Sequence, residues 1–190
     1  MSSRAKRTLP AMAQDDPPQP VADTPVSALA VPVAVPRALA RLRDRWDPTG
    51  ARPHVTVMYP FLPCAELGPA IRADLVAIAG RVAPFEARFE RLRRFVDLVW
   101  VEPEPSGPFA ALTAAVTERW PAYRPYGGDF ETVIAHLTVV ESEDAPLATV
   151  ETVTRAALPF SARAGRMELW CQNGAGRWLA RWRIPLGVRP

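Results

Sequence analysis

Histidine and cysteine are both scarce in this chain of 190 residues, with two of each, and no long basic run occurs. Each shortage excludes something. Cys64 and Cys171 stand far apart with no CxxC spacing, which argues against a disulfide framework and against a clustered zinc site. The expectation is two reduced, partly buried thiols. No stretch approaches the roughly 18 apolar residues that a membrane helix requires. Arg4, Lys6 and Arg7 are not followed by an apolar segment, because Pro10 and Asp15-Asp16-Pro17-Pro18 intervene. A cleaved signal is therefore not expected, and the cytoplasm is the default compartment. A formal charge of +3 admits an anionic ligand without demanding a nucleic-acid polymer. No cluster of Asp and His suggests a metal, and no motif suggests a cofactor. Gly127-Gly128 lacks a following Gly-Lys-Ser/Thr and reads as a turn.

Hydrophobic residues make up 48% of the chain, including six Trp, enough for a substantial core. They are not evenly spread. Residues 1–26 carry Pro10, Pro17, Pro18, Pro20 and Pro25 among small and polar side chains, the pattern of a disordered tail. Residues 27–190 read as one folded domain. Ala28 to Val35 reads as a strand, followed by a helix opened by Pro36 with Leu39, Leu42 and Trp46 on one face. After a turn at Asp47 to Gly50 come a strand from His54 to Phe61 and a helix from about Glu66 to Val82. Two paired strands follow, Phe85 to Leu92 and Phe95 to Val101. The second half repeats this order: a helix from Phe109 to Trp120, a loop through Gly128, a strand from about Val133 to Val140, and a helix from Pro146. Two strands, Phe160 to Gln172 and Arg177 to Pro185, close the chain. Pro84-Phe85-Glu86-Ala87-Arg88 is echoed by Pro159-Phe160-Ser161-Ala162-Arg163 at the matching place, which suggests duplication.

Both histidines begin the same pattern, His54-Val55-Thr56-Val57 and His136-Leu137-Thr138-Val139. With eleven Thr in the chain, chance would place Thr two residues after both histidines on the order of 1 time in 300. Alternate residues of a strand face the same way, so each His shares a face with its Thr. The intervening Val and Leu face a core. If the two polar faces meet, two imidazoles and two hydroxyls surround one small ligand. That set suits phosphodiester chemistry. A neutral imidazole removes a proton, and a protonated one donates to the leaving oxygen. His54 and His136 are the candidate catalytic pair, and Thr56 and Thr138 the candidate phosphate ligands.

With these two motifs the chain resembles the two-histidine (2H) phosphoesterase superfamily, in its 2′-5′ RNA ligase-like branch. The resemblance extends through "HVTVMYPFLP", "APFEARFERLRRF" and "PYGGDF…HLTV", covering about residues 28–186. It implies an α+β, bilobal fold related by a pseudo-twofold, with antiparallel sheets and flanking helices around a central cleft. It also implies metal-independent hydrolysis of cyclic phosphates or 2′-5′ linkages in nucleotides or RNA ends, with ligation as a reverse activity in some members. Ligase-like members tend to carry Arg shortly after the second motif. Here Val140, Glu141 and Ser142 occupy that stretch, leaving Arg52 or Arg124 as possible substitutes and a non-catalytic binding module as the alternative.

Tyr59 and Tyr126 are candidates to stack on a base, although each also fits packing or loop structure. Trp100 fits the core. The arginines at 88, 91, 93 and 94 lie among Glu86, Glu90 and Asp97 and read as a solvated strand face.

Overall fold

In the helix after Pro36, the apolar face formed by Leu39, Leu42 and Trp46 also carries Arg43, and this face turns inward: Leu39 and Arg43 are both buried. The structure is a computed structural model that describes residues 26–129 and 133–188. The tail expected over residues 1–26 falls almost wholly outside them. The described elements are β1 (Ser27–Pro32), α1 (Arg37–Trp46), β2 (His54–Phe61), α2 (Pro69–Ala79), β3 (Phe85–Arg94) and β4 (Leu98–Glu104). Then come α3 (Gly107–Arg119), β5 (Leu137–Glu141), α4 (Leu147–Ala157), β6 (Phe160–Ala164), β7 (Arg166–Gln172) and β8 (Trp178–Pro185). Short 3₁₀ turns occupy Cys64–Glu66 and Pro125–Gly128.

All eight strands join one antiparallel sheet in the order β6-β3-β4-β5-β2-β1-β7-β8. The α+β class is as expected, but the two separate sheets are not. The halves β6-β3-β4-β5 and β2-β1-β7-β8 connect at a single register pair, Val55 with Leu137. Helix α1, which follows β1, and helix α3, which follows β4, each cross to the other half. Helix α1 packs on β5 and α4, while α3 packs on β2 and α2. Val55, Leu29, Leu75, Phe89, Phe109, Leu112 and Leu169 are fully buried in one continuous core. Each such side chain contributes about 1.5–3 kcal/mol through removal of apolar surface from water.

Several boundaries differ from those read in the sequence. The second motif strand starts at Leu137 rather than Val133, because β2 and β5 separate there and residues 133–136 have no ladder partner. The run from Phe160 to Gln172 is two strands broken at Gly165, not one. Ala164 pairs with Phe85 at one end of the sheet, and Arg166 pairs with Pro185 at the other. Two extended residues span about 7 Å, so the sheet curls until its ends meet. The echoed segments pair with each other, Ala87 opposite Ala162.

The cysteine reading is also corrected. Cys64 and Cys171 form a disulfide, their Cα atoms 6.0 Å apart across 107 residues of sequence. The pairing follows from β1, where Ser27 is in register with both Phe61 and Cys171. Such bonds belong to oxidising compartments, which pulls against the cytoplasmic expectation. No helix among the described residues is long and apolar enough to cross a membrane.

Candidate active site

The single pairing of Val55 with Leu137 builds the site. In an antiparallel ladder, extending that register by one residue sets His54 beside Thr138 and Thr56 beside His136. Val55, Val57, Leu137 and Val139 are buried at 0–2% exposure, while all four polar residues of the motifs remain partly exposed. The expected alternation is what burial shows. His54, Thr56, His136 and Thr138 line one cavity of about 450 Å³.

The imidazoles are held alike. His54 Nδ1 lies 2.7 Å from the Arg52 carbonyl, and His136 Nδ1 lies 2.8 Å from the Ile134 carbonyl. A carbonyl only accepts, so each Nδ1 carries the proton and each Nε2 is left for a ligand. Each ring also meets a Trp edge-on: His54 with Trp170 at 4.7 Å and His136 with Trp100 at 5.4 Å between centroids. The pKa of His54 is pushed down to about 4, chiefly by burial and then by the Arg43 guanidinium. At neutral pH this ring is an uncharged acceptor.

Tyr126 lies nearly parallel to His136, 6.2 Å between centroids, and its hydroxyl shares a hydrogen bond with Thr56. It thereby touches both motifs. Its φ of 54° places a non-glycine residue in the left-handed region, just before Gly127 and Gly128 at 68° and 90°. Such backbone is held only where surrounding contacts demand it. Tyr59 stands at the other side of the cavity, 39% exposed and edge-on to Trp178 at 5.8 Å.

A model of the 2′-5′ RNA ligase superfamily matches residues 17–176. The chain belongs to that superfamily of two-histidine phosphoesterases. Its fold is similar to that of Escherichia coli LigT, whose crystal structures with NADP+ and with 3′-AMP are 17% and 16% identical to it. Both alignments cover 87% of this chain and all of LigT, with TM-scores of 0.51 and 0.52. TT0787 of Thermus thermophilus is 19% identical with a TM-score of 0.53 over the same coverage. No curated protein sequence matches the chain.

As a member of this superfamily the chain places its cleft cation unexpectedly. Among the described residues, the one basic side chain lining the cavity is Arg43 of α1, absent from the sequence reading. Its Nη1 donates to the Thr138 carbonyl at 2.6 Å, and its Nη2 to Asp47 at 2.6 Å and the Ala51 carbonyl at 3.3 Å. The signal was available: an arginine on the apolar face of an amphipathic helix needs buried partners. Neither proposed substitute lines the cavity. Arg52 is bound to Glu168 at 2.8 Å, and the Arg124 side chain packs against Gly128. Glu141 lines the cavity, with the wrong charge for a phosphate. Trp46, Trp170, Trp178 and Gln172 complete the wall on the His54 side and were also missed. Trp100 is core, as read, yet it touches His136. The arginines of β3 are paired with Glu90, Glu102 and Glu151 on the surface, as a solvated face should be.

Proposed function

We propose that this protein is a metal-independent phosphodiesterase that opens a 2′,3′-cyclic phosphate or cleaves a 2′-5′ linkage in a nucleotide or RNA end. The observation that carries the proposal is the pair of imidazoles that line one cavity, each with Nδ1 tied to a backbone carbonyl. His54, held neutral, is the general base: its Nε2 takes a proton from water as the water oxygen attacks phosphorus. The P–O bond to the ribose oxygen breaks, and His136, protonated, gives that oxygen its Nε2 proton. Cyclic phosphate and water thus yield a phosphomonoester and a hydroxyl. Thr56 and Thr138 donate to the non-bridging oxygens as charge grows on them. The same proton transfers in reverse describe ligation. Tyr59, Tyr126 and the tryptophans offer flat apolar surfaces of the kind on which bases stack, and LigT crystallises with two nucleotides. We read the two β-α-β-α runs as an internal duplication that supplies one motif each.

Incubation with 2′,3′-cyclic nucleotides, followed by product separation, tests this reading. Conversion to a single phosphomonoester, unaffected by EDTA, is the expected result. Nucleotide binding without product would return the protein to the class of binding modules, the alternative that Glu141 keeps open.

A further inference from the structure

Strand β7 places Arg166, Glu168, Trp170 and Gln172 on one face and the fully buried Met167 and Leu169 on the other. Glu168 has no exposed surface at all, an expensive place for a carboxylate. It is matched by donors. Glu168 Oε2 accepts from Trp170 Nε1 at 2.8 Å and from Arg52 Nη2 at 2.8 Å, and Oε1 accepts from Arg166 Nε at 2.6 Å. Arg183 adds a charge at 3.6 Å. Burial alone would raise the carboxyl pKa; the bonds from Trp170 and Arg166, with the charge of Arg52, outweigh it and hold the group ionised.

The two partners of Oε2 are the two residues that hold His54. The Trp170 ring meets the imidazole, and the Arg52 carbonyl accepts the hydrogen bond from its Nδ1. One carboxylate oxygen therefore fixes both the packing surface and the hydrogen-bond acceptor of the same ring. Among the described residues His136 has no matching support, because the Nε1 of its Trp100 is buried there without a partner. We infer that Glu168 is a positioning residue for His54, acting through Trp170 and Arg52 to fix the ring's orientation and tautomer. The catalytic consequence rests on the phosphodiesterase reading; the orientation does not.

The test uses Glu168→Gln and Trp170→Phe, the second keeping the aromatic packing while removing only the indole donor. The chain has two imidazoles, so long-range ¹⁵N–¹H correlation spectra at neutral pH report each one. In the wild type His54 shows the Nδ1-protonated tautomer. Both variants are expected to blur that pattern for His54 and leave His136 unchanged. On a 2′,3′-cyclic nucleotide, kcat should fall about ten- to hundred-fold with KM little changed. The double variant should lose no more than Glu168→Gln alone, since the two act in series. A His54 spectrum unaltered in Trp170→Phe and Glu168→Gln would overturn the proposal. Altered spectra in the variants, with a wild type that turns over no cyclic phosphate, would instead sink the phosphodiesterase reading and leave the positioning intact.

Discussion

Set side by side, the two motifs share their local design and differ in what stands behind it. Each His gives Nδ1 to the carbonyl two residues earlier and meets a Trp edge. Behind Trp170 is the sealed Glu168, bound by donors from β7 and by Arg52 just before β2; behind Trp100 is an indole N–H with no acceptor among the described residues, and Phe95 stacks on that ring while remaining 64% exposed. Arg43 adds its charge on the His54 side. Two near-identical tetrapeptides are thus made unequal by residues far away in sequence. An acid–base pair needs that inequality, because at one pH one ring must be empty while the other is loaded.

The comparison breaks most readily at the rings themselves. His54→Ala and His136→Ala should each lower kcat on a 2′,3′-cyclic nucleotide by a factor on the order of 10²–10⁴. Single-turnover assays check this, and normal turnover in either variant would reject the pairing. A smaller effect sharpens the asymmetry. The rate–pH curve should rise as pH passes about 4, where His54 loses its proton. The positive charge of Arg43 opposes protonation of His54, so Arg43→Met should move the acid limb upward. Activity at pH 5, relative to that at neutral pH, should drop about twofold for a limb moved by about one pH unit. An unmoved limb would mean that the guanidinium serves α1 packing alone. The smallest effect concerns the tryptophans. Denaturant melts should show Trp170→Phe costing more stability than Trp100→Phe by about 1–3 kcal/mol, since only the former gives up a bond to a buried carboxylate.

Local rules account for what could be read in advance. The bounds of β2, the helix after Pro36 and the facing of both His-Thr pairs all follow from side-chain periodicity within ten residues. What escaped depends on chain segments meeting from a distance. Gly165 gives no hint that the strands on its two sides go to opposite ends of the sheet. The Cys64–Cys171 bond depends on β1 lying between their strands. Arg43 and Glu168 each carried a faint mark, a charge on an apolar helix face and a carboxylate in an apolar strand. One partner of each, Thr138 for Arg43 and Arg52 for Glu168, stands 95 and 116 residues away. Glu168 also shows why an acidic residue in a run like Met167-Glu168-Leu169-Trp170 calls for its donors to be sought.

The narrow join between β2 and β5 makes assembly of the site a matter of whole steps. If one strand slid past the other by a single position, its oily side chains would turn toward the ligand and its polar ones into the core. A slide of two would restore the facing but leave His54 across from Val140 instead of Thr138. There is no intermediate setting, so a misaligned population would show up as fewer working molecules rather than as slower ones.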